Sequence, residues 1–271
     1  MQTAEREQRL SLETIYNGKT FYSTDKGILI NADTFKAIRK IASDSIDLIF
    51  ADPPYFLSND GITCKSGKMV SVNKAEWDSG YSLKQKHRFN KRWLKECYRV
   101  LKPSGTIFIS GTLHNIYSIG MALEENNFKI INNITWEKTN PPPNLACKCF
   151  THSTETVLWA KKNIKKAKPL FNYQRMKEEN GGKQMKDVWR GALTPPKEKK
   201  QGKHPTQKPL YLLDRIIEAA AAENYIILDP FVGSGTTAIS AANHNCYFIG
   251  IDNSTEYLEI AKKRLETEVI E

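Results

Sequence analysis

Ile46-Asp47-Leu48-Ile49-Phe50-Ala51-Asp52-Pro53-Pro54-Tyr55 is the stretch that decides the fold. An apolar run that stops at a carboxylate and two prolines reads as a buried parallel strand delivering a rigid polar turn to the carboxyl edge of a sheet. Open α/β sheets hold their ligands at that edge. Pro53 and Pro54 fix φ and lack N–H groups, so the turn is stiff and offers carbonyl acceptors. Asp52 adds a carboxylate, which only accepts when ionised, and Tyr55 adds a flat face. Acceptors held beside an aromatic plane suit a planar group that bears an amine, such as N6 of adenine. Taken alone, an Asp-Pro pair also reads as a strand end whose carboxylate caps a turn.

The second decisive motif is Tyr225-Ile226-Ile227-Leu228-Asp229-Pro230-Phe231-Val232-Gly233-Ser234-Gly235-Thr236-Thr237, a strand running into a Gly-x-Gly turn and then a helix. Such glycines let backbone approach a ligand at a helix N-terminus. Gly233-x-Gly235-x-x-Ala238 also satisfies the dinucleotide fingerprint, and Asp252 closes the next strand, Tyr247-Phe248-Ile249-Gly250-Ile251, where a ribose-binding acid would sit. The glycine turn by itself leaves a nicotinamide dehydrogenase open, although that reading gives the 52–55 turn no role.

Together the two motifs resemble the signature pair of the amino-methylating DNA methyltransferases: an Asp-Pro-Pro-Tyr catalytic motif and a Phe-x-Gly-x-Gly motif for S-adenosylmethionine. The catalytic motif comes first, as in the permuted β group of that family. The resemblance continues through Thr135-Trp136-Glu137-Lys138-Thr139-Asn140-Pro141 and Lys203-His204-Pro205-Thr206-Gln207-Lys208-Pro209, and so spans most of the chain. More narrowly, Ala51-Asp52-Pro53-Pro54-Tyr55-Phe56-Leu57-Ser58-Asn59, Leu113-His114-Asn115-Ile116-Tyr117-Ser118 and Gly182-Lys183-Gln184-Met185-Lys186-Asp187-Val188-Trp189 look like the second, single-strand-capable adenine methyltransferases of GATC-specific, DpnII-type restriction–modification systems.

The resemblance implies catalytic roles for Asp52, Pro53, Pro54 and Tyr55. It implies S-adenosylmethionine contacts at Asp33, along Asp229, Pro230, Phe231, Gly233, Ser234, Gly235 and Thr236, at Asp252, and at His204, Thr206 and Lys208. Asp229 is expected to accept from the cofactor's ammonium and Asp252 from its ribose, while Thr206 and Lys208 meet its carboxylate. Asp33 reads equally as the cap of the next helix, and Lys208 as ordinary charge at a helix entry. DNA, single- or double-stranded, is the implied partner. A homodimer and a cognate restriction nuclease are further partners that the residues leave open.

The 271 residues suffice for one α/β domain with an insertion. The N-terminus, Met1-Gln2-Thr3-Ala4-Glu5-Arg6-Glu7, is charged and no apolar run approaches membrane-spanning length, which predicts a soluble cytoplasmic protein. Five cysteines, at 64, 97, 147, 149 and 246, form no disulfide framework, and none follows a proline as the cytosine C5 methyltransferase nucleophile does. Cys147-x-Cys149 with His152 lacks a second pair at ligand spacing, so no metal is expected.

The net charge of +10 is concentrated: residues 161–203 hold 14 Lys and Arg against 4 Asp and Glu, and the rest of the chain is neutral. Lys161, Lys162, Lys165, Lys166 and Lys168 interleave with Phe171 and Tyr173, then Lys183, Lys186 and Arg190 surround Trp189. Lys and Arg meet phosphate and aromatics stack on bases, so this segment is the expected nucleic-acid surface, matching by position the family's target-recognition region. A solvated linker is the plainer alternative, against which Phe171, Tyr173, Val188, Trp189 and Leu193 argue for folding or docking.

In order, the chain reads as an N-terminal arm over residues 1–20, the catalytic half of the methyltransferase domain over 21–160, the basic insertion over 161–203, and the cofactor-binding half over 204–271. Strands are expected near 27–33, 46–51, 106–110, 130–136, 155–160, 225–229 and 247–251. Helices alternate with them at 34–41, 84–101, 115–126, 209–222, after the glycine turn, and at 255–268. A break is expected at Lys102-Pro103-Ser104-Gly105, and residues 58–82, with Lys65, Lys68 and Lys74, read as a polar loop that closes over DNA and cofactor. This alternation predicts a doubly wound, mostly parallel, Rossmann-like sheet of about seven strands.

Rival substrates remain at this stage. Cytosine N4 is also an exocyclic amine. RNA or a protein amide is the target of relatives with Asn-Pro-Pro-Tyr, and Asp52 favours an aromatic amine instead. A non-catalytic nucleic-acid-binding module explains the basic segment alone. Adenine in a duplex is inaccessible, so the base must be flipped, with Tyr55 a candidate stacking partner.

Overall fold

The computed structural model describes residues 12, 14–56 and 82–269, and the backbone alone of 62–65 and 68–71. β3 (Ile46–Ala51) lies near the centre of a nine-stranded sheet. On one flank it pairs in parallel with β10 (Ile226–Asp229), followed by β11 (Tyr247–Asp252), β2 (Gly27–Asn31) and the antiparallel edge strand β1 (Tyr22–Ser23). On the other flank β6 (Leu101–Gly111) is parallel to it. Beyond β6 lie the antiparallel pair β8 (Thr154–Lys162) and β7 (Phe128–Lys138), and β9 (Val188–Gly191) closes the edge in parallel with β7.

The sheet is buried on both faces because its central strands carry apolar residues on both sides. Along β3, Ile46, Ile49 and Ala51 join one core while Leu48 and Phe50 join the other. The first core is covered by the helices Thr34–Ile38, Leu83–Val100 and Ile116–Glu125. Trp93, Leu94, Cys97 and Val100 form the buried stripe of the second of these, whose start is fixed by a capping box between Ser82 and Gln85. Leu210–Ala220, Thr236–Asn243 and Thr255–Glu268 cover the other face. The expected doubly wound class holds. β1 and β9 are short edge strands that the expected seven omitted.

Three expectations change. Lys102-Pro103-Ser104-Gly105 is not a break but a bulge within β6, where the step from Leu101 to Thr106 faces only the step from Ile46 to Leu48. Lys102 anchors it by donating to both Asp47 oxygens at 2.7 and 2.9 Å. Most of the 1–20 arm lies outside the described residues, but Leu12 and Tyr16 are buried, and Tyr16 bridges to Ile41. Much of the 58–82 loop, with Lys74, also lies outside them; its described backbone is a hairpin of β4 (Ile62–Lys65) and β5 (Lys68–Ser71). Among the described residues no helix is long and apolar enough to cross a membrane.

The sheet order turns this fold into a site. β2, β11, β10 and β3 are neighbours, and each ends at or just before an aspartate: Asp33, Asp252, Asp229 and Asp52. β10 and β3 are parallel, but the chain goes on from β10 to β11 on one flank and pairs β3 with β6 on the other, so their junction is a switch point of the kind where open α/β sheets admit a ligand.

Candidate active site

The four aspartates line a cavity of about 510 Å³. Asp252 is fixed by accepting from the Gly233 amide at 3.0 Å and the Ser254 amide at 2.8 Å. Asp229 accepts from the Phe231 amide at 2.9 Å and the Thr237 hydroxyl at 2.5 Å. Burial pushes the Asp229 carboxyl up to about 7, with Asp52 and Asp252 adding repulsion against those hydrogen bonds. Asp33 caps the helix Thr34–Ile38 through the Lys36 amide at 3.1 Å and also lines the cavity, so capping does not remove it from the cavity wall.

The glycine turn needs its glycines. Gly233 and Gly235 have φ of 50° and 84°, and a Cβ on Gly235 would stand 2.8 Å from Ala261 Cβ. Arg264, fully buried, braces the turn by donating to the Ser234 carbonyl at 2.9 Å and the Thr236 hydroxyl at 3.0 Å. Pro230, Phe231, Ser234 and Thr236 join the cavity wall. Opposite them stand His204 and Thr206; burial lowers the His204 imidazole to about 4, so it is neutral, and its ring meets Tyr257 edge-on at 4.3 Å.

At the end of β3 the catalytic candidates form a buried ionic cluster. The Tyr55 hydroxyl donates to Asp52 Oδ1 at 2.7 Å, and Lys208 Nζ donates to Asp52 Oδ2 and to Tyr55 Oη, both at 2.6 Å. Asn115 Nδ2 holds the turn through the Pro54 carbonyl at 3.3 Å, and Pro53 is buried beneath it. Burial raises the Asp52 carboxyl; Lys208 pulls it down and Glu155 pushes it further up. Burial acts to raise Glu155 too, but Lys208 and Lys138 outweigh it and hold Glu155 below the usual glutamate value. Lys208 was expected at the cofactor's carboxylate, as was Thr206; in this structure its ammonium is engaged by Asp52 instead. Glu155 and Lys138 were missed: Glu155 opens an expected strand, and Lys138 lies just past the expected end of another, which in fact runs to it. A lone carboxylate at the mouth of the apolar run 156–160 was the available signal.

Beyond Tyr55 and Lys208 opens a second cavity, of about 790 Å³, walled by Thr112, Tyr117, Trp136, Asn144, Glu155 and Gln207 among others. Its wall includes apolar and aromatic side chains open to solvent: Leu113, Tyr117 and Leu145 are exposed, Tyr117 by 78%.

The basic segment does not gather at this wall. β8 runs antiparallel to β6, so its end carries Lys161 and Lys162 to the amino edge of the sheet, opposite Asp52. Lys162 is buried there against Asp44 at 2.6 Å, Lys161 donates to the Ala167 carbonyl, and Lys165 and Lys166 follow on the same side. Tyr173 begins a helix, Tyr173–Glu179, tied by Asn172 to the far end of Leu210–Ala220. Trp189 is no stacking platform: it is buried in the core with the Arg215 guanidinium 5.4 Å from its ring. Arg190 is exposed and pairs with Glu137 at 3.4 Å, and Lys183 and Lys186 are exposed on the approach to β9. The single insertion expected over 161–203 is thus distributed along the sheet's outer edge.

The profile of a DNA methylase family, covering N6 and N4 methyltransferases, matches residues 46–263. The chain is 60% identical over 250 residues to the type II methyltransferase M2.DpnII of Streptococcus pneumoniae, covering 92% of this chain and 93% of that one. It is also 60% identical over 247 residues to M2.LlaDCHI of Lactococcus lactis subsp. cremoris, covering 91% and 92%. Among solved structures, the complex of M1.HpyAVI with S-adenosylmethionine superposes with a TM-score of 0.65 at 31% identity, covering 88% of this chain and 98% of that one.

Proposed function

The chain belongs to the N6/N4 DNA methylase family, and from that premise we propose that it methylates N6 of adenine in GATC, in single- and double-stranded DNA, beside a cognate restriction nuclease. The coarser activity is not in question: it is a DNA methyltransferase dependent on S-adenosylmethionine. The cavity fits that cofactor, with carboxylates aligned at four strand ends for its ammonium and hydroxyls and a left-handed glycine turn that leaves room for close approach. Asp33, Asp229, Asp252 and the 233–236 turn would hold it, with His204 and Thr206 on the facing wall. When bound, S-adenosylmethionine supplies a methyl already activated on a sulfonium, with a neutral thioether to leave.

The observation that carries the adenine reading is Asp52, fixed on a proline-stiffened turn and bonded to Tyr55 and Lys208, which line both cavities. The difficulty of the reaction is the nucleophile, because the N6 lone pair is shared with the ring. An amine donating to Asp52 and to the Pro53 carbonyl is drawn toward tetrahedral geometry, which localises that lone pair. Positive charge then grows on N6, and the Asp52 carboxylate stabilises it more than it stabilises the neutral amine. Tyr55, held protonated by burial beside Asp52, presents its face to the second cavity. Flipping costs a few kcal/mol in a duplex and less in a single strand, which supports activity on both.

The test is transfer of labelled methyl to oligonucleotides with and without GATC, single-stranded and duplex, followed by nucleoside analysis, with Asp52→Ala as control. N6-methyladenine confined to GATC is expected in both forms. N4-methylcytosine would move the target to the rival amine, and label on oligonucleotides lacking GATC would remove the sequence assignment.

A further inference from the structure

The Lys208 ammonium occupies the carboxylate that the reaction needs. Its Nζ is 2.6 Å from Asp52 Oδ2, and the side chain is buried. A target nitrogen that gains positive charge next to this pair would face a carboxylate already neutralised and a second cation beside it. Transfer is favoured only if the ammonium steps away. The structure holds the place for it to go. Glu155 Oε2 lies 3.4 Å from the same Nζ, is buried, and accepts no hydrogen bond of ordinary geometry from the described residues. Glu155 Oε1, in contrast, is pinned by Lys138 at 2.7 Å, so the carboxylate is fixed with its other oxygen turned to Lys208. A buried carboxylate oxygen left without a hydrogen bond is costly and calls for a partner.

We infer that Lys208 is a transferable counter-ion, resting on Asp52 before the target binds and passing to Glu155 when the target amine takes its place, so that Glu155 positions the ammonium away from the reacting nitrogen. This rests on the reading of Asp52 as the acceptor of the target amine. No proton changes hands in the exchange. Lys208 stays charged, because Asp52 and Glu155 raise it by more than burial lowers it. Before binding, two carboxylates and two ammoniums balance. After it, Glu155 is shared by Lys138 and Lys208, and the full negative charge of Asp52 faces the amine. In the resting enzyme Lys208 is also the charge that opposes the upward push of burial on Asp52. The groups acting on Asp52 are Tyr55 on its own turn, Glu155 from β8, Asp229 from β10 and Lys208 from the loop before Leu210–Ala220; behind them Lys138 from β7 pairs with Glu155, and the neutral His204 neighbours Lys208.

Single-turnover methyl transfer to a GATC oligonucleotide across pH, for the wild type, Glu155→Gln, Lys208→Met and Lys208→Arg, tests this, with S-adenosylmethionine affinity measured separately to verify folding. Activity requires ionised Asp52 and falls as pH drops through its pKa. Removing the cation raises that pKa, so Lys208→Met should move the acid limb up by about 1–3 pH units, and Lys208→Arg should bring it back. Glu155→Gln removes both the receiving site and a repelling charge. It should slow transfer about 10- to 100-fold, the range of one hydrogen bond to a charged group, move the acid limb down, and leave cofactor affinity unchanged. An acid limb of Lys208→Met that superimposes on the wild type, or a Glu155→Gln enzyme that transfers at the wild-type rate, overturns the inference. Should Lys208→Met fail to bind cofactor, Glu155→Gln decides alone, and an unmoved limb sinks the idea. A wild type that methylates no amine defeats the underlying reading instead.

Discussion

The two cavities that share Tyr55 and Lys208 are built in opposite ways. The smaller is walled by strand ends and a glycine turn whose every polar group is tied down: Asp252 by two amides, Asp229 by an amide and a hydroxyl, the turn itself by Arg264. The larger takes its wall from pieces of several segments and exposes Leu113, Tyr117 and Leu145 to solvent. A small ligand of constant shape is met by a rigid cradle. A polymer suits an exposed aromatic wall, because ring faces stack on bases with little regard for which base it is.

The sharpest way to break this contrast is at the junction. Asp52→Ala should cut methyl transfer by about 10²–10³-fold or more while S-adenosylmethionine affinity, measured by calorimetry, survives. Loss of both together would mean that the two cavities are one site. On the rigid side, Gly235→Ala forces a side chain into a left-handed conformation at φ 84° and against Ala261. A loss of about 1–3 kcal/mol in denaturant unfolding is expected, with weakened cofactor binding.

On the larger cavity's side, Tyr117→Ala, at an exposed ring of that wall, should leave stability untouched and weaken single-stranded oligonucleotide binding by about 1–3 kcal/mol, read by fluorescence anisotropy. An unchanged affinity would return the nucleic-acid surface to the basic segment. The smaller effects refine the picture. Asp229 titrates near 7 in the folded protein, above its unfolded value, so its carboxyl is protonated and uncharged below that pH. Cofactor affinity should therefore rise severalfold from about pH 6 to about pH 8, and Asp229→Asn should flatten the rise. The same shift means that Asp229 favours folding at acid pH, and that this contribution is lost as pH rises through 7. The double substitution Lys165→Ala with Lys166→Ala, at the far edge of the sheet, should change oligonucleotide affinity less than about twofold, well below the effect of a phosphate contact.

The same contrast explains what could be read from the sequence. β3, β10 and β11 each put an apolar run directly before an aspartate, so local pattern and site coincide there, and the cradle was legible residue by residue. The wall of the larger cavity was not. Many of its residues belong to loops with no periodicity, and their proximity to Tyr55 depends on the antiparallel return of β8, which pattern alone leaves undirected. That return also sends Lys161 and Lys162 to the wrong edge, where charge and aromatics together suggested nucleic acid. Trp189 misled for a related reason: between Val188 and Arg190 it looks solvent-facing, yet a strand alternates its sides and β9 turns that one inward. Glu155 stayed hidden because its importance lies in Lys208, far away in sequence.

The central seam of the sheet has a consequence for how the chain is made. Asp47, at the start of β3, accepts from the Ile226 amide that opens β10, 179 positions later. At ribosomal rates β3 would wait roughly 10–35 s with one flank bare before its neighbour is synthesised. During that interval β6 can pair on its other side, but the open edge is a template for any passing strand. Assembly of the seam is necessarily a late, long-range event, and a nascent chain of this order depends on protection of that edge until its last quarter has been translated.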